Sequence, residues 1–460
     1  MLNKFLVTGL ILNTFTIFAD QPIVNESNIT TQNNINDDLD ISEATLDNGI
    51  KIYVIRTNTK GTVSGGVGYF VGSADDPRNV TGISHILEHM MFKGTKNLSG
   101  EKLKEISFVC NKNSNAFTSY DITFYIFLCH KSFLDMNLKI EADRMQNLKL
   151  DPKELQKEKE VVIEERKMRT ESDPFINHME EASWKAMYLF SNYSYPVIGY
   201  IDQIKACGPT EVRAHYEKFY NPQNAFVLLV GDITIDEAID KVKTYFGMIP
   251  AGKRVDRNRV IDPESTGLTH SIEHEDENIK FNDINIVYKI DRNLFDDVRK
   301  QTIVELIVGM LSTGSSSVLY SELIDKNKTA YDIGSYLDIR AFDKGRLNIS
   351  AMFHNDKKVN DVDNAIMQTI SDFVDKHLTK ERFENEKKKY LDQLELNEND
   401  PNLMLMYGLS YITNGYKMSE FKKIRSIIRS ITFEETKDIA QKILNKKNRI
   451  MRIYSHPKGK

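Results

Sequence analysis

The chain has 460 residues, of which 40% are hydrophobic and 28% are charged, a composition typical of a globular protein with more than one domain. Its formal net charge is −5 and its isoelectric point is about 6.1, so no basic surface for nucleic acid is expected. Its three cysteines are an odd number without metal-binding spacing, and they imply no disulfide framework.

Residues 1–19 have the form of a secretory signal peptide, with an early lysine, an apolar run from Phe5 to Phe18 and a small final residue. The apolar run is short for a membrane span. Because Ile17 is large for the position three before the cut, an uncleaved N-terminal anchor is the alternative. Residues 20–42 are rich in Asn, Asp, Thr and Ser, which predicts a flexible leader. We therefore expect export across the inner membrane to the periplasm, with no further membrane span.

The stretch Gly82–Phe92, GISHILEHMMF, is predicted to form a short helix. His85 and His89 are four residues apart and share one face of that helix, with Glu88 beside them. The opposite side is apolar and consists of Ile83, Ile86, Leu87 and Met90. Two imidazoles at this spacing can hold one metal ion, and the carboxylate can bond a water on that ion. This is the HxxEH pattern of inverted zinc peptidases, although a polar surface helix is the alternative.

A second helix is predicted for residues 151–171, in which Asp151 is a suitable N-cap and a proline follows it. Its predicted apolar stripe consists of Leu155, Val161, Val162 and Met168. Glu158 and Glu165 fall within that stripe, whereas Glu164 points about 100° away. An ionised carboxylate on an apolar face is costly unless it is paired or binds metal. Glu165 is therefore the predicted third metal ligand, and Glu158 is predicted to hydrogen-bond a ligand from behind.

The HxxEH motif is followed 76 positions after His89 by Glu165 in EKEVVIEERKMR. This pattern resembles the pitrilysin/insulinase family of zinc peptidases, and most closely its single-half bacterial members related to mitochondrial processing peptidase. GISHILEHMMFKGT, NAFTSYDITFY, YPVIGYIDQI and YNPQNAFVLLVGD occur in family order, so the likeness covers most of Leu46–Pro457. The resemblance implies one zinc ion per chain, bound by His85, His89 and Glu165, with Glu88 as the general base.

Residues 115–129, NAFTSYDITFYIFLC, alternate in character and are rich in Thr, Tyr, Phe and Ile, which predicts a strand or hairpin. The pattern by itself is that of an ordinary sheet strand. In the family this strand is an exposed edge on which the substrate pairs as an added strand. The resemblance therefore implies that Asn115 and Ala116 bind the substrate backbone and that Phe117 lines a side-chain pocket.

The family also places an Arg and a Tyr, seven residues apart, in the second domain of the opposing unit. In LIDKNKTAYDI the tyrosine is Tyr331, which the resemblance implies contacts substrate, but Ile324 stands at the arginine position. Lys326 or Lys328 is a candidate replacement, although a lysine cannot form the bidentate fork of a guanidinium. A buried structural tyrosine is the alternative interpretation of Tyr331.

An internal repeat predicts two similar domains. EVRAHYEKFYNPQNAFVLLV, from Glu211, parallels ETKDIAQKILNKKNRIMRIY, from Glu435, at a constant offset of 224 positions. We predict an α+β fold of two tandem homologous domains, each a mostly antiparallel sheet with helices packed on it, which the resemblance identifies as the mitochondrial-processing-peptidase-like metallohydrolase type. The predicted catalytic domain is residues 43–250, the linker is 251–265, and residues 266–460 form a domain without the metal motif.

The predicted function is that of a zinc-dependent metalloendopeptidase that hydrolyses unfolded peptides or precursor segments, bound as an added strand in a closed chamber. One alternative is a non-catalytic structural or assembly paralogue, but such paralogues usually lose the HxxEH residues. Another is a dedicated processing peptidase for one precursor. Because the family encloses its substrate between two units, we expect a homodimer, or a heterodimer with a related chain that lacks the zinc motif. No nucleic acid partner is expected.

Overall fold

The computed structural model describes residues 38–457, except 173, 258, 264–268, 340 and 341. The first unit consists of residues 40–262 and 395–422, and the second unit of residues 38–39 and the described parts of 263–394 and 423–460. The predicted signal peptide lies outside the described residues, as does the predicted leader up to residue 37. The first strand begins at Ile41, so it includes the last two residues, 41 and 42, of that predicted leader.

The chain alternates strands and helices in both units. The strands are β1 (Ile41–Thr45), β2 (Lys51–Arg56), β3 (Thr62–Tyr69), β4 (Asn111–Thr118), β5 (Thr123–His130), β6 (Ala225–Gly231), β7 (His270–Asp276), β8 (Asn282–Ile290), β9 (Asp332–Asp338), β10 (Gly345–Phe353) and β11 (Arg449–Pro457). The helices are α1 (Ile83–Met90), α2 (Gly100–Cys110), α3 (Leu134–Asn147), α4 (Pro152–Ser172), α5 (Pro174–Met187), α6 (Ile201–Ala206), α7 (Pro209–Phe219), α8 (Ile235–Phe246), α9 (Val298–Ser312), α10 (Val318–Tyr320), α11 (Val359–Asp372), α12 (Lys380–Asn397), α13 (Pro401–Thr413), α14 (Met418–Lys422), α15 (Ile424–Ser430) and α16 (Phe433–Ile443). Among the described residues, no helix combines the length and the apolar character needed to cross a bilayer.

Each unit is built on one sheet. The first sheet has the strand order β1-β2-β6-β3-β5-β4, and the second has the order β7-β11-β8-β10-β9. Within each sheet one neighbouring pair is parallel, β2 with β6 and β7 with β11, and the remaining pairs are antiparallel. The second sheet therefore repeats the last five strands of the first in the same order, which confirms the predicted fold of two tandem homologous α+β domains.

The repeat extends to individual elements. Helix α7, a turn at Pro222–Asn224 and strand β6 are matched by α16, a turn at Lys446–Asn448 and β11, and each element begins 224 positions later. A buried lysine is repeated as well. Lys159 Nζ donates to the carbonyls of Lys205 and Cys207 at 2.6 and 2.8 Å. Its counterpart in the second unit is Lys387, which donates to the carbonyls of Arg429 and Ile431. Arg429 and Ile431 lie 224 positions after Lys205 and Cys207.

Two helices from the second half of the sequence belong to the first unit. Helix α13 packs against the first sheet, where Ser64 Oγ donates a hydrogen bond of 2.7 Å to Asn402 Oδ1. Gly408 lies so near the sheet that an added Cβ would come within 2.7 Å of Ile55 Cδ1. These contacts place residues 395–422 on the first sheet, whereas the sequence boundaries assigned them to the second domain by homology.

Candidate metal centre

Helix α1 presents two chemically different faces. Its apolar side chains, Ile83, Ile86, Leu87 and Met90, are at most 1% exposed. On the other face His85 and Glu88 are also buried, and the side chain of His89 is 21% exposed. The apolar face thus anchors the helix in the core, while its ionisable face meets helix α4 and strand β4.

Helix α4 carries Glu158 and Glu165 toward α1, but its predicted apolar stripe is partly wrong. Val161 is 49% and Met168 is 69% exposed, whereas Leu155, Val162 and Glu158 are buried. The reason is that α4 packs against α1, α5 and α6 through its other faces, so the face with Val161 and Met168 points to solvent. Glu158 is buried, as its prediction on the covered face of the helix requires. Glu164 is exposed and forms an ion pair with Lys167 at 2.6 Å.

The structure brings His85, His89 and Glu165 together. One potential ligand atom from each residue lies within 4.8 Å of the others. Glu165 Oε2 is 3.7 Å from His85 Nε2 and 3.6 Å from His89 Nε2, and the two imidazole rings are 4.7 Å apart at 76°. Atoms that ligate one tetrahedral zinc ion at 2.0 to 2.1 Å are about 3.3 Å from one another. The two distances from Glu165 Oε2 to the imidazole nitrogens are therefore close to those around a single bound cation.

One atom of this group supports the same interpretation. Glu165 Oε2 is buried and has no hydrogen-bond partner among the residues that the structure describes. A buried polar atom without a partner is costly, and a cation held by Glu165 Oε2 removes that cost for the carboxylate. The donor set of two imidazoles and one carboxylate is among those that catalytic zinc sites use. The residues present therefore fit zinc.

Two further side chains hold the candidate ligands from behind. Glu158 Oε2 lies 3.2 Å from His89 Nδ1, and Glu158 also pairs with Lys93. Burial raises the pKa of Glu158, but hydrogen bonds to His89 and Lys93 outweigh it and the net shift is downward. Glu165 Oε1 accepts a hydrogen bond from Arg169, which leaves Oε2 available to a cation. Glu158 was predicted from the sequence and Arg169 was not, although Arg169 is one helical turn after Glu165.

Glu88 lies beside this group and is held by strand β4. Its Oε2 accepts a hydrogen bond of 2.7 Å from Thr118 Oγ1. Burial raises the pKa of Glu88, and the hydrogen bond from Thr118 opposes that shift. Thr118 was not predicted from the sequence. The available signal was its position two residues after Ala116, which puts both side chains on one face of the strand.

The residues predicted to bind substrate lie in two places. Strand β4 is at the edge of the first sheet, where Asn115 is exposed while Ala116 and Phe117 are buried. Phe117 packs near Phe124, with ring centroids 6.2 Å apart. Tyr331 belongs to the second unit, next to the edge strand β9, where its ring meets those of Phe281 and His354. Contact of these residues with substrate stays a prediction.

Two family models match the chain. The model "Insulinase (Peptidase family M16)" matches residues 51–199, and "Peptidase M16 inactive domain" matches residues 207–390. The chain belongs to the insulinase family of peptidases. The second unit has no carboxylate at the position equivalent to Glu165, the candidate third ligand. Glu165 follows Lys159 by six residues, and the residue that follows the equivalent Lys387 by six is Gln393.

Relatives of known name agree with this assignment. A "Zinc protease PqqE" of Helicobacter pylori is 30% identical over 292 residues, a match that spans 62% of this chain and 64% of the relative's length. An "Uncharacterized zinc protease YmxG" of Bacillus subtilis is 25% identical over 88% of this chain and 95% of its own. A crystal structure of a protease from Helicobacter pylori is similar in fold, with a TM-score of 0.80 and 23% identity over 91% of this chain and all of that chain.

Proposed function

We propose that this insulinase-family chain is a zinc-dependent metalloendopeptidase that cleaves unfolded peptides. The observation that carries the proposal is the convergence of His85, His89 and Glu165 beside the buried Glu88. In this proposal the first three residues hold the ion, and Glu88 is the general base. Named relatives are zinc proteases, which supports peptidase chemistry for the family.

Zinc bound by these three residues would polarise the scissile carbonyl and lower the pKa of a water towards about 7. Glu88 takes a proton from the attacking water and returns it to the leaving amine. Thr118 holds one carboxylate oxygen of Glu88, so the side chain keeps one orientation. Burial raises the pKa of Glu88, which brings its proton affinity nearer to that of the groups it exchanges protons with.

The edge strand β4 supports the proposed mode of substrate binding. Because β4 has a neighbouring strand on one side only among the described residues, an extended peptide can add to its other side through backbone hydrogen bonds. Asn115, Ala116 and Phe117 lie on this strand, and the same strand carries Thr118 to Glu88. A peptide paired there runs beside His85, His89 and Glu165, which together are called the metal group. Only an unfolded segment can adopt that extended form.

The test of the proposal is a cleavage assay with the purified chain and an unbiased peptide library. We expect cleavage that stops when zinc is removed by a chelator and returns when zinc is added. A broad cleavage profile supports a general endopeptidase, and cleavage of one sequence alone points to dedicated processing. A zinc-loaded chain that cleaves nothing, alone or with a sibling chain, would favour a structural paralogue.

Replacing Glu158 by glutamine is expected to weaken zinc affinity or turnover by about 10- to 100-fold, because the amide supports the His89 ring less strongly than a carboxylate does. Competition with a colorimetric chelator measures the affinity. Glu154→Gln is the matched control, since Glu154 is on the same helix but pairs only with Lys157 among the residues that the structure describes. Equal effects of the two substitutions would show that Glu158 has no special part.

We propose further that the working enzyme is a dimer in which the partner completes the site. The chain is similar in fold to 48% of the periplasmic protease PqqL from Escherichia coli, with a TM-score of 0.75 and 21% identity. About two chains of this size would therefore correspond to the length of that protease. A homodimer would present Ile324 where the family has arginine, so a sibling chain that carries the arginine and tyrosine is the favoured partner. A charged donor lost from such a site typically costs about 2 to 4 kcal/mol of transition-state stabilisation.

The partner proposal predicts that the isolated chain has low peptidase activity, which a sibling chain raises by on the order of 10²-fold or more. The measurement is mass in solution and cleavage rate, for this chain alone and with the sibling added. Full activity of the isolated chain, unchanged by the sibling, would contradict the heterodimer and point to Lys326 or Lys328 as the replacement cation.

We also propose a periplasmic location, because residues 1–19 have the form of a signal peptide. Cell fractionation with an antibody to the chain tests it, and the N-terminal sequence of the mature protein distinguishes cleavage from retention as an anchor. Recovery of the chain in the cytoplasmic fraction would contradict the proposal.

A further inference from the structure

The N-terminus of helix α1 lacks an ordinary cap. The capping position is Gly82, which has no side chain to accept a hydrogen bond from the first turn. Its φ of 87° lies in the left-handed region, and an added Cβ would come within 2.5 Å of Ile198 O. A larger capping residue is therefore excluded at this position by both backbone conformation and space.

Asp76, six residues upstream of Gly82, supplies the missing acceptors. Its Oδ2 accepts from the Gly82 N–H at 2.7 Å, and its Oδ1 accepts from the Ser84 N–H at 3.2 Å. Ser84 Oγ donates to the same Oδ1 at 2.6 Å. Asp76 is 2% exposed, so these contacts are made away from water. Both carboxylate oxygens thus hold the first turn of the helix that carries His85.

A second side chain fixes the same turn from another direction. His215, on helix α7, places its Nε2 2.9 Å from Ser84 Oγ. Burial lowers the pKa of His215 to about 3, so the ring is neutral and one nitrogen carries its proton. With the Ser84 hydroxyl donating to Asp76, the His215 N–H is the donor to Ser84 Oγ. The turn is held between the segment before α1 and helix α7.

The second unit shows that this arrangement is not a requirement of the fold. Its equivalent helix is α9, which follows β8 as α1 follows β3, the matching strand of the first sheet. Helix α9 has an ordinary N-cap, Asp297, directly before its first residue. The side chain of Asp297 accepts from the Lys300 N–H at 2.8 Å. The unit without the metal group therefore uses a local cap, whereas the unit with it uses a remote carboxylate and a histidine from another helix.

We propose that Asp76, Ser84 and His215 form a clamp that sets the position of helix α1, with Asp76 as a positioning residue for His85 and Glu88. His85 is the residue directly after Ser84, and Glu88 follows one turn later. A shift or fraying of the first turn moves both side chains relative to Glu165 and Thr118, which come from other elements. The inference rests on the proposed function, because it assigns the clamp a part in zinc binding and catalysis.

The test compares zinc affinity, measured on the purified chain by competition with a colorimetric chelator, with kcat and KM for a peptide substrate. Asp76→Ala is expected to weaken zinc affinity and lower kcat by about 10- to 100-fold, the range seen when outer partners of a ligand are removed. KM should stay near its original value, since Asp76 does not contact the edge strand's free side. Asp76→Asn keeps one acceptor oxygen, so its zinc affinity and kcat should fall between those of the original chain and those of Asp76→Ala.

Asp262→Asn is the matched control. Asp262 is equally buried and accepts from the backbone N–H groups of Leu189, Phe190 and Ser191, outside the metal group. The Asp262→Asn substitution should lower the melting temperature without changing zinc affinity. If Asp76→Ala does not fold, Asp76→Asn and Ser84→Ala decide the question, each by an expected loss of zinc affinity of at least several-fold.

The outcomes separate the clamp from the function on which it rests. Zinc affinity and kcat that are unchanged in folded Asp76 and Ser84 variants overturn the clamp alone. A loss of zinc affinity of the same size in the Asp262→Asn control also overturns it, because a general loss of stability then explains the result. An unaltered chain that binds no zinc overturns the proposed function and the clamp together.

Discussion

Replacing Glu88 by glutamine is expected to lower turnover by on the order of 10²- to 10⁴-fold while the fold and the metal are retained. The amide cannot accept the proton of the attacking water, but it has nearly the shape of the carboxylate. Its carbonyl oxygen can still accept the hydrogen bond from Thr118 Oγ1. The measurement is kcat for a peptide substrate, together with zinc content by elemental analysis.

The control for this substitution is Thr118→Val, which removes the hydrogen bond to Glu88 and leaves the base in place. A reduction smaller than that of Glu88→Gln is expected, because the carboxylate then lacks only its fixed orientation. Cleavage by the Glu88→Gln protein at the original rate would remove Glu88 from the mechanism. Loss of zinc from that protein would instead show that Glu88 is a ligand.

Replacing Glu165 by glutamine is expected to weaken zinc affinity by more than about 100-fold, beyond the range for partners that act only through a ligand. The physical reason is that Oε2 of Glu165 is the one carboxylate atom that faces both imidazole Nε2 atoms in the group. A neutral amide oxygen is a weaker donor to a divalent cation. Chelator competition measures the affinity, and activity should be lost in parallel.

Glu164→Gln is the matched control, since it changes the adjacent residue in the same way. The Glu164 side chain is 68% exposed and pairs with Lys167. A surface pair of this kind contributes little, so zinc affinity and activity should stay close to those of the original chain. Equal metal loss in the two variants would show that the helix presents a different residue to the ion.

Together the two substitutions distinguish binding from chemistry. Glu88→Gln should give a protein that keeps zinc without turning over, and Glu165→Gln a protein that loses both. The same pair of outcomes is not expected for a structural paralogue, in which neither change alters a catalytic rate.

Much of the candidate site could be predicted from the sequence because its spacing is local. Within one helix the rotation of about 100° per residue determines which side chains share a face, so His85 and His89 could be paired without a structure. The repeat was also visible, because the equivalent helix, turn and strand keep one offset of 224 positions. The two sheets follow from it, since similar segments in the same order form the same strand pattern.

The predicted stripe on α4 shows where local reasoning stops. Hydrophobic character selected Val161 and Met168, yet both are exposed, because the neighbours of the helix decide which of its faces is covered. The position of residues 395–422 on the first sheet is a similar case. Helix α13 begins at Pro401, more than 100 residues after β6, the last strand of that sheet. Its own residue pattern does not indicate which surface it packs against.

The sequence by itself predicted the candidate ligand set, the candidate base and the repeated fold, since each depends on residue type and on spacing within a single helix or segment. Apart from Glu158, the tertiary structure alone decided which other side chains support them. Thr118 reaches Glu88 from a strand, Asp76 holds the first turn of α1 from six residues upstream, and His215 reaches it from 131 positions away. Such contacts join elements whose approach is set by sheet pairing and by the paths of the loops, and neither is encoded in the periodicity of any one segment.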